Sequence, residues 1–183
     1  MEVSKPNGMA LGFLTVRKHT VHGYFGGLLV LNHLARPLEF HCTLPVMTTR
    51  AQQILYGATL DEFVCGEQIA RALVLKAKSA PSVLFTDTPA SLSLRHIHPL
   101  PIAAIEGSWN RGSSTFTQPH LDRSDLQVAE LGSLKLLVLP EYRKDLESFD
   151  NIFRSHEPNI DLIEPFGRIE EALREAHPAT KAA

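Results

Sequence analysis

Apolar and polar positions along the chain fall into segments with two different periods. Residues 11–16 are almost wholly apolar and predict a first strand. Gly26 and Gly27 break the chain before a second apolar run, 28–31, and the polar stretch 32–36 reads as a turn. Residues 38–44 then alternate. Leu38, Phe40, Cys42 and Leu44 fall on one face, and Glu39, His41 and Thr43 on the other. Two such runs joined by a short polar turn predict an antiparallel hairpin. The alternation predicts Phe40 and Cys42 buried with Glu39 and His41 exposed, since a slip of one residue reverses every side chain.

Helical spacing takes over after residue 48. A short helix over 48–55 is expected to end at Gly57. Thr59 and Glu62 have capping-box spacing, and Leu60, Phe63, Val64, Ala70, Leu73, Val74 and Ala77 recur at helical intervals to about residue 78. Two nearly continuous apolar runs follow, 82–86 and 102–106, which suit strands covered on both faces in a parallel part of a sheet. Pro89, Pro99 and Pro101 make the join between them irregular. The polar stretch 107–119 predicts a mobile loop. The last third predicts a helix over 124–131 ended by Gly132, a strand over 134–139, a helix over 143–153 and a short strand over 160–163. A final helix opens at Pro165, with Phe166, Ile169, Leu173 and Ala176 as its apolar stripe and Glu170–Arg174 as a pair on its wet side.

These elements add up to an α/β fold, with mixed α+β as the neighbouring class. The expected core is a mixed sheet of about five strands with an N-terminal antiparallel hairpin, flanked by helices. A length of 183 residues suits one domain over 1–183, with 1–10 and 177–183 as flexible tails. Apolar residues make up 44% and charged residues 21%, which argues against disorder of the whole chain. A net charge of −2 does not support a broad nucleic-acid surface, which needs clustered Lys and Arg. Two cysteines, Cys42 and Cys65, do not make a disulfide framework and fit a reducing, cytoplasmic setting. Neither 28–31 nor 136–139 approaches the roughly 20 apolar residues that cross a bilayer, and the first ten residues lack signal-peptide character.

Few groupings carry chemistry. His96 and His98 point to one side of an extended segment and could share a metal ion, given a third ligand from Asp87, Glu106 or His41; two surface histidines are the plainer reading. Asp87 and Glu106 each end a predicted parallel strand. Both carboxylates would then lie at the sheet edge where α/β folds bind ligands, with Trp109 and Arg111 of the loop available for stacking or anion contact. The simpler account of Asp87 is turn chemistry in Asp87-Thr88-Pro89, with its side chain capping backbone amides. Glu39 and His41 share a face, although solvent-facing alternation explains them. Cys42 and Cys65 read as inert core or near-core residues. The chain has no G-x-S-x-G, G-x-G-x-x-G, Walker lysine loop, C-x-x-C or H-E-x-x-H.

The succession of strand, hairpin, long helix and a strand ending in Asp87 resembles a ribonuclease H-like core over roughly residues 11–106. The resemblance implies a metal-binding acid at Asp87 and another on the long helix, at Glu62 or Glu67. It also implies an acid on the first strand, and residues 11–16 contain none. Hairpin followed by helix likewise resembles regulatory modules of the roadblock or longin type. Two functions follow as expectations. The first is a non-catalytic interaction or accessory module of a larger intracellular assembly, with a protein partner, no membrane association and no cofactor. The alternative is a metal-assisted hydrolase, nuclease-like, that uses a divalent ion with Asp87, Glu106 and His96 or His98. Convergence of those side chains separates the two.

Overall fold

The computed structural model describes residues 8–108, 116–156 and 160–178. Strands β1 (Leu11–His19), β2 (Gly23–Leu31) and β3 (Pro37–Cys42) form an antiparallel meander. Strand β4 (Val83–Thr86) lies parallel to β1, and β5 (Ile102–Ile105) lies parallel to β4. The two-residue β6 (Phe116–Thr117) pairs with the far end of β1. A hairpin of β7 (Gln127–Leu131) and β8 (Leu134–Val138) joins β5 antiparallel through β8. The result is an open mixed sheet in the order β3-β2-β1-β4-β5-β8-β7. The expected α/β class holds, with eight strands among the described residues where about five were expected.

Helices cover both faces. On one lie α2 (Leu60–Glu62), a π-helical segment (Phe63–Ala70), α3 (Arg71–Lys76) and a 3-10 helix (Pro89–His96); α1 (Arg50–Tyr56) precedes them and buries none of its residues. On the other lie α4 (Asp145–His156) and α5 (Glu164–Ala176). Leu14, Val16, Leu28 and Leu84 pack against Val64, Ile69, Leu73 and Leu92 of the first layer. Leu11, Phe13, Leu29 and Phe85 pack against Phe149, Phe166, Ile169 and Leu173 of the second. Burial on both faces is why β1 and β4 read as unbroken apolar runs. Among the described residues no helix is long and apolar enough to cross a membrane.

Several expectations give way to tertiary packing. Gly26 and Gly27 do not break the chain; they lie inside β2, where a helix presses from each side. A Cβ on Gly26 would overlap Ile69 Cγ2, and one on Gly27 would come within 2.5 Å of Ile169 Cγ2. Residues 124–131 do not form a helix. Leu131 and Leu134 pair across the two-residue turn Gly132-Ser133, with Gly132 at φ +61°, so this segment supplies β7. Residues 160–163 form no strand. Thr59 does not cap the long helix: its hydroxyl donates to Tyr56 O at 2.8 Å. The capping box forms ten residues earlier, where Thr49 Oγ1 accepts from Gln52 N–H at 3.1 Å and Gln52 Oε1 accepts from Thr49 N–H at 2.9 Å. His177, assigned to the tail, lies with its Nε2 3.0 Å from Thr43 O.

The register expected for β3 is reversed. Phe40 is 38% exposed and Leu38 is 46% exposed, whereas the Glu39 and His41 side chains are 13% and 19% exposed. Cys42 is half-buried. β3 is an edge strand, and its apolar face extends beyond the cover of α5. Glu39 turns inward because it has polar partners there. It accepts from Lys78 N–H at 3.0 Å and from Ser79 N–H, and His41 Nε2 lies 2.7 Å away. The Lys78 amide first, then His41 and Ser79, hold the Glu39 carboxyl at about 2 against an ordinary 4.5. A carboxyl depressed on folding stabilises the protein above its unfolded pKa, and that contribution disappears as pH falls from about 4.5 toward 2. Glu39→Gln is expected to cost about 1–2 kcal/mol at neutral pH and to flatten the loss of stability in that acid window, as read by urea melts across pH.

Candidate functional site

The end of the sheet where β1 and β4 finish carries a buried ion network. Arg17 follows Leu11, Phe13 and Thr15 at two-residue intervals on β1, so it points to the face that α5 covers. Arg17 is 3% exposed and Asp87, immediately after β4, is fully buried. The guanidinium forks onto Asp87, with Nη1 donating to Oδ1 at 3.2 Å and Nη2 donating to Oδ2. Nε and Nη2 donate to Glu170 Oε2 at 3.4 and 3.3 Å, and Nη1 donates to Val16 O at 3.1 Å and to Gln118 Oε1 at 3.3 Å. Arg174 pairs with the other oxygen of Glu170. The chain Asp87–Arg17–Glu170–Arg174 thus alternates in sign and sums to zero. Burial opposes the Arg17 charge, but Asp87 and then Glu170 outweigh it and hold the guanidinium above its ordinary pKa.

Neighbouring polar groups lock this arrangement. Thr88 Oγ1 accepts from Val16 N–H at 3.0 Å, which continues the β1–β4 contact through a side chain after β4 has ended. Gln118 Nε2 donates to Asp87 O at 2.7 Å, so the segment beyond β6 closes over the sheet end. His120 N–H donates to Asp61 Oδ2 at 2.7 Å and ties the same segment to α2. A cavity of about 320 Å³ lies beside it, lined by Pro89, Gln118, His120 and Arg123 among others. The Arg123 guanidinium is engaged there by Asp125 at 2.9 Å and by Glu141 at 3.2 Å.

Asp87 and Glu106 follow the ends of the parallel strands β4 and β5, whereas His96, in the last turn of the 3-10 helix rather than an extended segment, and His98 precede the start of β5 at the opposite end of the sheet, so the candidates do not share a centre. Asp87 does not face solvent, and among the described residues it caps no amide; its oxygens are held by Arg17 and Thr88. Glu106 follows β5, which is parallel to β4 as expected, but it is exposed and lies 3.7 Å from Lys135. His96 Nε2 lies 3.1 Å from Glu141 Oε1. His98 Nδ1 accepts from Leu100 N–H at 3.1 Å, and burial with Arg95 pushes its pKa down. Burial pushes the Glu62 carboxyl up, and Glu67 lies in the π-helical segment. Cys65 is buried and its thiol is pushed well above its ordinary value by that burial. Among the described residues no three His, Cys, Asp or Glu side chains come together as metal ligands. Trp109 and Arg111 lie outside the described residues, as does most of the expected loop; Phe116 and Thr117 within it form β6.

A second feature is apolar and lies on the surface. Seven of the eleven large hydrophobic side chains exposed among the described residues fall between residues 34 and 55 of the sequence. They include Leu38 and Phe40 on β3, Leu44 and Met47 after it, and Ile54 and Leu55 on α1. Helix α1 buries none of its residues, and Leu55 is 82% exposed. Its ends are nonetheless fully formed: the Thr49 capping box at one end, and Gly57 at φ +52° donating its N–H to Gln53 O at the other. Ala51, Ile54 and Leu55 stand at i, i+3 and i+4, the spacing by which a short helix presents an apolar stripe to a partner.

Periodicity gives no sign of these exposed side chains, but charge does. In residues 43–60 the only charged side chain is Arg50, in a chain that is 21% charged. Interface cores share this depletion of charge. Arg17 likewise shows in the pattern only as a polar residue just beyond an apolar run. No protein-family model matches the chain, and no curated protein is significantly similar to it in sequence.

Proposed function

We propose that this chain is a non-catalytic interaction module that binds a protein partner through β3 and the segment leading into α1. Helix α1 carries this reading. A helix of seven residues is marginal in water on its own. This one is capped at both ends yet buries none of its residues and turns Ile54 and Leu55 outward. Such a helix gains its packing from a partner. The metal-assisted alternative has less support at Asp87, because the Arg17 guanidinium already takes both carboxylate oxygens. A divalent ion there would have to displace a bound cation from a buried site and find further ligands in place of Glu170.

The test is site-specific photocrosslinking in the native host. A benzophenone side chain at Met47 or Leu55 is expected to give discrete adducts to another protein, while one at Lys144, an exposed polar position, gives none. Absence of adducts at both apolar positions would overturn the proposal. So would cleavage of DNA or RNA by the purified chain with magnesium or manganese, if Asp87→Asn abolished it.

A further inference from the structure

We infer that the chain also pairs with a second copy of itself, β3 against β3 antiparallel, about a two-fold axis at Phe40. This deepens the interaction reading and rests on it. β3 ends the strand order and so, among the described residues, has a strand on one side only. Thr43 N–H donates to Gly26 O at 2.9 Å, which makes Thr43 and Gly26 a bonded position of the β2–β3 ladder. Alternation then turns His41 and Glu39 toward β2, and leaves the N–H and C=O groups of Phe40 and Cys42 directed outward. An unpaired row of this kind is a template for another strand.

The side chains select a second copy and set its register. With Phe40 opposite Phe40, Glu39 faces the partner's His41 and His41 faces the partner's Glu39. Glu39 and His41 already lie 2.7 Å apart within one strand, so the two-fold closes a square of alternating carboxylate and imidazole. The other face sets Phe40, 38% exposed, against its own copy as an aromatic pair. A two-fold centred one residue on, at His41, would set imidazole against imidazole and is disfavoured. The ladder is also self-limiting. The register shift between Val30 and Leu31 leaves Leu38 as an extra residue, and Pro37 lacks an N–H, so pairing stops there. The isologous contact uses up this edge and closes on itself. The strand at the opposite edge, β7, presents one exposed large hydrophobic, Val128.

Light scattering on the eluting full-length chain is expected to give twice the 20.3 kDa chain mass, and Phe40→Lys is expected to halve it without altering the circular dichroism spectrum. The register is read with Phe40→Cys in a Cys42→Ser background. Hydrogen-bonded antiparallel partners stand about 5.5 Å apart at Cα, within disulfide reach, so mild oxidation should link two chains through residue 40. Cys65 is fully buried and does not compete. A chain that stays monomeric, or a dimer that survives Phe40→Lys while Phe40→Cys fails to crosslink, overturns the inference. Its failure is distinct from that of the interaction reading: monomeric protein that still gives adducts to another protein from Leu55 removes the self-pairing alone. Loss of those adducts removes the broader reading as well.

Discussion

Arg17→Met is expected to lower the unfolding free energy by about 3–5 kcal/mol, the range for removing one partner of a buried ion pair. Methionine replaces most of the arginine volume, so the loss is electrostatic more than steric. It leaves Asp87 fully buried and Glu170 at 9% exposure, without the guanidinium that paired them. It also removes the donors to Val16 O and Gln118 Oε1, so the segment beyond β6 loses part of its anchorage. Asp87→Asn added to Arg17→Met should recover a substantial part of the deficit, because a neutral amide tolerates burial better than an unpaired carboxylate. The two substitutions therefore combine to less than their sum, as expected for side chains in direct contact. Urea melts of the wild type, both single variants and the double variant measure this. An Arg17→Met protein within about 1 kcal/mol of wild type would mean that water or a rearranged side chain reaches Asp87, and that the sheet end is less closed than its geometry indicates.

This network shows how far local pattern reaches. Strands β1, β4, β5 and β8 were legible because burial on both faces writes a continuous apolar run, and α5 was legible from Pro165 and its stripe. Glu170 and Arg174 were legible as an i,i+4 pair, but not as part of the core. Whether a carboxylate at that position meets water or Arg17 depends on α5 crossing β1, a contact between residues 153 apart in sequence. β3 failed in a more instructive way. Period two was correct, but period alone does not say which face is inside, and the rule that apolar faces are inside assumes cover on that face. At an edge strand the cover ran out. The buried side went to Glu39, whose partners are two backbone amides at 78 and 79 that leave no mark in the sequence. The candidate surface is the converse case. Alternation assigns Phe40 to the core, whereas the exposed segment after it, 43–60, is legible only through its lack of charge.

Gly66→Ala is expected to destabilise the protein by about 3 kcal/mol or more, against the sign that helix propensity alone gives. In an unconstrained helix interior the same change stabilises by about 1 kcal/mol, because glycine loses more backbone freedom on folding. Gly66 lies in the π-helical segment, which packs against the 3-10 helix Pro89–His96. A Cβ there would overlap Ser93 Oγ and stand 2.6 Å from Leu94 N. Neither neighbour can retreat cheaply. Ser93 Oγ donates to Glu62 O at 2.7 Å, satisfying a carbonyl just ahead of the π-helical segment. Leu92 and Leu94 are fully buried on the far side, and Val64, Cys65 and Ile69 are buried on the near side, so moving either helix displaces the core of this layer. Gly167→Ala is the control. Gly167 lies in α5 at an ordinary φ, and a Cβ there meets nothing within 4 Å, so propensity acts alone and stability should rise by about 0.5–1 kcal/mol. Thermal and urea melts of the two variants should move in opposite directions from wild type. If Gly66→Ala rose together with Gly167→Ala, the π-helical segment and the 3-10 helix would have to be farther apart than these contacts place them.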